Sequence, residues 1–235
     1  MFKIALAAGH YKYTAGKRCL KALDPNETRE WWLNDRVCDY VESYLKEYEG
    51  YVLIRCDDTN GEKAIGNDGR VSAANAFDAD VYLSVHHNAG ANGTSAGGIV
   101  CFSHPQAGAA TDAWRDDLYN ALIKHTGLRG NRATPKATAN FQELRETKMH
   151  AVLMELGFMD SKADVPVILT DEYAQACARA IVEVLVERGK LAKKAAPERD
   201  VMYRVQLGAF SNKANAEALA AELKAKGYQA YIVKV

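Results

Sequence analysis

His10, Glu30, His86 and Glu155 are the residues of this sequence whose types could do chemistry together. Zinc in a hydrolase is held by three N or O ligands and keeps a fourth position for water. Two histidines and one glutamate would serve as that set. Bound zinc lowers the pKa of its water to about 7, so hydroxide is available at neutral pH. A further carboxylate is then needed to take the water proton and hand it to a leaving amine. Spacing alone is weak evidence, because any chain with six histidines and many glutamates offers such quartets. A structural or surface histidine at each position is the plain alternative. His87, His104 and His125 show how readily histidine occurs with no evident role.

Secondary structure must bring these residues together. Residues 2–8 (FKIALAA) read as a buried strand ending at Gly9-His10, and residues 11–26 as a polar loop. From Glu27 to about Tyr48 the apolar spacing of Leu33, Val37, Tyr40, Val41, Tyr44 and Leu45 is helical. Strands are predicted at Tyr51–Cys56, Val81–His86, Ile99–Phe102 and Ala151–Glu155. Helices are predicted at Arg70–Phe77, Ala109–His125 and Asp171–Arg188, and Asn60-Gly61 marks a turn in the loop 57–68. Strands alternating with helices predict an α/β three-layer sandwich with a mostly parallel, mixed sheet. In such sheets ligands bind beyond the carboxyl ends of the strands. His10, His86 and Glu155 each stand at the end of a predicted strand, which locates a site.

The 235 residues suffice for one full domain and a smaller second one. With 48% hydrophobic and 26% charged residues, the composition excludes a disordered, collagen-like or coiled-coil chain. The formal net charge of zero gives no sign of nucleic-acid binding. That zero hides a split. Residues 191–235 hold eight basic and four acidic residues, so this tail is +4 and the rest −4. Five scattered cysteines (Cys19, Cys38, Cys56, Cys101, Cys177) contain no CxxC pair and read as reduced, mostly buried thiols. The five apolar residues after Lys3 are too few for a signal-peptide core. No stretch reaches the ~18 apolar residues of a membrane span. The expectation is synthesis in the cytoplasm with no membrane insertion.

Residues 190–200, polar and with Pro197, read as a linker between a domain at 1–189 and a small unit at 201–235. The small unit has a βαβ pattern. A strand at Tyr203–Leu207 precedes a helix capped by Ser211 or Asn212 and running through Lys226. Gly227 stops the helix, and a second strand follows at Tyr228–Val235. So few elements bury little surface alone.

Four ordered segments resemble the zinc-dependent N-acetylmuramoyl-L-alanine amidases of the amidase-3 type. They are Ile4-Ala5-Leu6-Ala7-Ala8-Gly9-His10; Glu30-Trp31-Trp32-Leu33-Asn34; Arg70 through Ala74-Asn75 and Asp80 through Ala89, with Ser84-Val85-His86-His87-Asn88; and Leu144-Arg145 with Val152-Leu153-Met154-Glu155-Leu156-Gly157-Phe158. The match covers residues 1 to about 189. Carried over, it implies one Zn2+ held by His10, Glu30 and His86, with Glu155 as the catalytic carboxylate. Glu27 competes with Glu30 on the same helical face, but only Glu30 lies four residues before Asn34. His87 competes with His86; the two point to opposite faces of a strand, and the family pattern selects His86. Arg70, Asn88 and Arg145 lie in the matched blocks and are candidate substrate contacts.

The implied reaction is hydrolysis of the amide between N-acetylmuramic acid and L-alanine in peptidoglycan. The sequence departs from the family after its first ligand, where Tyr11-Lys12 makes a bulkier loop, and at His150, where the family often has proline. The segment Tyr203-Arg204-Val205-Gln206-Leu207-Gly208-Ala209-Phe210-Ser211-Asn212 resembles the opening of a SPOR domain, a peptidoglycan-binding module. Such a lytic enzyme without a signal peptide would reach the wall after release, by lysis or a holin-type route, as a phage endolysin or a sporulation autolysin.

Overall fold

Successive residues of a strand face opposite sides of a sheet, and the central strands here are apolar at both sets of positions. That pattern demands cover on both faces. The computed structural model of the chain describes residues 1–131, 134–195 and 205–234. They fall into two compact units, Met1–Lys194 and Ala195–Val235.

In chain order the first unit contains β1 (Phe2–Ala8), α1 (Glu30–Leu45), β2 (Tyr48–Glu49), β3 (Tyr51–Arg55), α2 (Asn67–Phe77), β4 (Val81–Asn88), β5 (Ile99–Ser103) and α3 (Ala109–Thr126). It continues with β6 (Lys136–Thr138), α4 (Gln142–Arg145), β7 (His150–Phe158), α5 (Val165–Ile168), α6 (Asp171–Gly189) and β8 (Ala192–Lys193). Six strands form one sheet in the order β3-β1-β4-β7-β5-β6. β3, β1, β4 and β7 run parallel, β5 is antiparallel to β7, and β6 runs parallel to β5. The mixed α/β sandwich is the architecture expected from the alternating elements.

On one face Ile4, Leu6, Val81, Leu83, Val85, Val152, Met154 and Leu156 pack in a single apolar cluster with the buried stripes of α1, α3 and α6. On the other, Ala5, Ala7, Tyr82 and Leu153 meet Ala74 of α2 and Leu144 of α4. All five cysteines are buried and unpaired. Burial pushes the thiols of Cys19, Cys56 and Cys177 up to about 12, so they stay protonated and inert.

Several boundaries differ from the sequence expectation, each for a local reason. α1 begins at Glu30 rather than Glu27, because Asp24 accepts hydrogen bonds from the Asn26 and Thr28 amides and closes a turn ahead of it. Glu27 itself takes a left-handed conformation, φ 50°. β7 extends to Phe158, since β4 and β5 flank it and supply ladder partners beyond Glu155. The linker expected from residue 190 starts later. Lys190 turns the chain back with φ 51°, β8 pairs antiparallel with β2, and the Lys194 amide donates to the Glu47 carbonyl. The remainder of that linker, 196–200, lies outside the described residues.

In the second unit α7 (Lys213–Ala225) forms as expected, with the Asn212 side chain accepting from the Ala214 amide. The strand read at Tyr203–Leu207 lies partly outside the described residues. Among the described residues 205–210 and 228–234 no strand ladder is formed, and the ends of both expected strands, Tyr203-Arg204 and Val235, lie outside them. A strand exists only through hydrogen bonds to a neighbouring strand, and here Val205, Leu207, Tyr231 and Val233 stay exposed.

The fold rests on the doubly covered central strands. Leu83 is fully buried in β4. Leu83→Ala is expected to cost about 2–5 kcal/mol of stability, measured by urea unfolding.

Candidate metal centre

Parallel pairing puts the carboxyl ends of β1, β4 and β7 side by side. Gly9 follows β1 and donates its amide to the Val85 carbonyl of β4. His86 of β4 is the register partner of Glu155 of β7. Both therefore project from the same face, the one covered by α2 and α4. His87 faces the other way, buried, with Nδ1 2.8 Å from Asn34 Oδ1 of α1. Burial holds its pKa down at about 3, so it is neutral. The strand period thus separates the two neighbouring histidines.

Glu30, the first residue of α1, reaches the same point. Its Oε1 lies 3.3 Å from His10 Nε2 and 3.1 Å from His86 Nδ1. The three residues are the cluster of metal-ligating type among the described residues. A tetrahedral zinc with bonds of 2.0–2.1 Å spaces its ligand atoms by about 3.3 Å. The donor set also fits: imidazole nitrogen and carboxylate oxygen suit zinc among the divalent ions. Glu30 is 1% exposed. Burial opposes its ionisation, but the His10 and His86 imidazoles outweigh burial and hold its carboxyl well below the usual carboxylate range. For His86, burial works against the charged ring, but the Glu143 and Glu30 carboxylates prevail and push its pKa up to about 10. The carboxylates that favour a proton on this ring would equally favour a cation beside it.

The backbone at the first histidine is clamped. His10 has φ 67°, in the left-handed region. Asn34 Nδ2 donates to the Gly9 carbonyl at 3.1 Å, and Arg70 Nη2 donates to the His10 carbonyl at 2.8 Å. This explains the spacing of Glu30 and Asn34. One helical turn apart, they place a carboxylate on the histidine and an amide on the backbone that carries it. Gly9 has a separate task. A Cβ there would lie 2.2 Å from His86 Cε1, so only glycine leaves room for the ring.

Of the other residues singled out from the sequence, Glu27 pairs with Arg18 at 3.0 Å and takes no part in the cluster. Arg70 is 2% exposed and committed to the His10 carbonyl and to Glu143. Its place is inside the site, holding it. Asn88 caps its own strand end, accepting from the Ala89 amide. Arg145 is bonded to Asn140 and Glu146, and with His150 it lines a separate cavity of about 550 Å³. His150 begins β7 and bonds Thr111. Five residues of strand, about 16 Å, separate it from Glu155. The cluster of His10, Glu30 and His86 opens into a different pocket of about 400 Å³, lined by His10, His86, Glu155, Arg70, Lys17 and Phe141 among others.

Sequence reading missed Glu143, 3% exposed on the four-residue α4. Its carboxylate lies 3.6 Å from Arg70 and 3.8 Å from His86. Burial opposes its charge, but His86 and Arg70 hold its pKa at about 2. No periodicity marks it; the signal available was an acidic residue directly before the matched Leu144-Arg145 pair.

Residues 4–187 match the family described as N-acetylmuramoyl-L-alanine amidase. The chain belongs to that family. This amidase chain is 35% identical over 189 residues to N-acetylmuramoyl-L-alanine amidase CwlM of Bacillus licheniformis, covering 80% of this chain and 70% of that one. It is 34% identical over 187 residues to the sporulation-specific N-acetylmuramoyl-L-alanine amidase of Bacillus subtilis (strain 168), covering 80% and 69%. Among solved structures, the catalytic domain of CwlV from Bacillus (Paenibacillus) polymyxa var. colistinus shares the fold, with TM-score 0.69, 22% identity, and 80% and 98% of the two chains covered. Residues 201–235 match the SPOR domain family. No helix of the described residues is long and apolar enough to cross a membrane.

The Gly9 contact generates a prediction. Gly9→Ala is expected to displace the His86 ring and weaken zinc uptake by about tenfold or more, read by competition with a chromophoric chelator.

Proposed function

We propose that the first unit hydrolyses the amide bond between N-acetylmuramic acid and L-alanine in peptidoglycan, with one zinc held by His10, Glu30 and His86. The observation that carries this reading is the convergence of those three ligand atoms beside Glu155, at the carboxyl ends of adjacent parallel strands. Family membership supports the same substrate class.

Zinc supplies Lewis acidity to the amide carbonyl and brings a water pKa down to about 7. The chain's own residues supply the rest. Glu30 and the two imidazoles offer one anionic and two neutral donors. Asn34 and Arg70 hold the Gly9-His10 backbone so that His10 keeps its aim. Glu155, half-buried on the pocket wall, accepts the proton of the attacking water and returns it to the alanine nitrogen as the C–N bond breaks.

The second unit is read as wall-directed. The SPOR match supports peptidoglycan binding, and the +4 charge of residues 191–235 adds a weak, salt-dependent attraction to anionic wall polymers.

Glu155→Gln is expected to retain zinc and lower kcat by about 10²–10⁴-fold, measured on purified walls. New N-terminal alanine without new reducing ends identifies the bond cut. Chelator treatment is expected to abolish turbidity loss and zinc to restore it. Full activity in metal-free protein, or new reducing ends alone, would sink the proposal.

A further inference from the structure

β4 sends Tyr82, Ser84 and His86 to the same side of the sheet, two residues apart. All three meet one carboxylate. The Tyr82 hydroxyl donates to Glu143 Oε1, and Ser84 Oγ lies 3.5 Å from the same oxygen. His86 Nε2 lies 3.8 Å from Glu143 Oε2. His86 Nε2 is buried and makes no hydrogen bond to the protein at this separation. Arg70 Nη1 completes the ring, 3.6 Å from Glu143 Oε1, while its Nη2 holds the His10 carbonyl. Glu143 thus stands 3.8 Å from one proposed ligand and reaches the backbone of another through a single arginine.

We infer that Glu143 is the positioning residue for His86. It accepts the Nε2 proton of the ring, which fixes the tautomer that leaves Nδ1 free to face Glu30 and a bound ion. Metal-ligating histidines commonly give their other ring N–H to a carboxylate, which orients the ring and raises its basicity as a ligand. Closing 3.8 Å to hydrogen-bond length takes a shift of about 1 Å. Tyr82 and Arg70 hold the carboxylate for this task. They occupy Oε1 and leave Oε2 for the histidine. Gly9 bounds the ring on another side, since a Cβ there would strike it. The ring is therefore steered by a carboxylate at its far nitrogen and by a bare backbone alongside.

This rests on the metal reading of the site, and the test separates the two. Zinc affinity of the full chain is measured by chelator competition for wild type, Glu143→Gln, Glu143→Ala and Glu143→Asp, with circular dichroism as the check on folding. The expected result is a loss of about 10–100-fold in affinity for the Ala variant, a smaller loss for Gln, and partial recovery for Asp. ¹⁵N shifts of wild-type His86 with zinc bound are expected to report protonated Nε2 and ligated Nδ1. Affinity within about twofold of wild type in folded Ala and Gln variants overturns the inference. A wild-type ring ligated through Nε2 overturns it as well, and decides the matter alone should the variants not fold. Wild-type protein that takes up no zinc removes the metal reading itself, and this inference with it.

Discussion

A carboxylate with 1% of its surface exposed stays ionised only when cations and donors replace the lost water. Glu30 is such a group, and much of the first unit serves its surroundings. The residue opens α1, where the helix dipole favours negative charge. His10, just after β1, and His86 of β4 approach one oxygen, and the His87 amide donates to it at 3.3 Å. Lys17 stands 3.6 Å from the other oxygen, at the mouth of the pocket. Remove the strand pairing and the imidazoles scatter; remove the turn that Asp24 closes and α1 no longer starts at Glu30.

The sheet divides labour between its faces. The side under α1, α3 and α6 carries the long apolar side chains and the bulk of the core. The side under α2 and α4 carries alanines at β1, and there polar residues of β4 and β7 gather. Smaller side chains and two shorter helices leave space for a pocket. Its polar residues cluster closely, yet Glu30 Oε2, Arg70 Nε and His86 Nε2 are buried without a hydrogen bond to the protein. Tyr82 and Arg70 both meet the buried Glu143 carboxylate, with His86 3.8 Å away, so removing Glu143 strands a buried arginine.

Hydrophobic periodicity made the element types legible, because burial of one face is what the periodicity records. The β1, β3, β4, β5 and β7 strands and helices α1, α2, α3 and α6 all follow from it. Short elements do not: β2, β6, β8, α4 and α5 span two to four residues and present no period. The described residues beside α7 form no ladder among themselves, for a related reason. Alternating apolar residues such as Val205 and Leu207 state a preference for a half-buried strand, but only a neighbouring strand makes one.

The sequence by itself determined the chemical types at the site and their order along the chain. A glycine-histidine after one strand, a glutamate opening a helix, and a histidine and a glutamate in two further strands are local facts, and the ordered motifs identify the family. Tertiary structure supplied the physical reason why Glu30, already favoured by its spacing from Asn34, joins the cluster and Glu27 does not: a turn closed by Asp24 sets the helix start. Tertiary structure alone turned Arg70 inward onto the His10 carbonyl, and set Arg145 and His150 at a different cavity. It alone recruited Glu143. Spacing along a chain fixes neighbours one turn or one pleat away. The groups that meet a side chain across a sheet are chosen by strand order and register, which no local pattern contains.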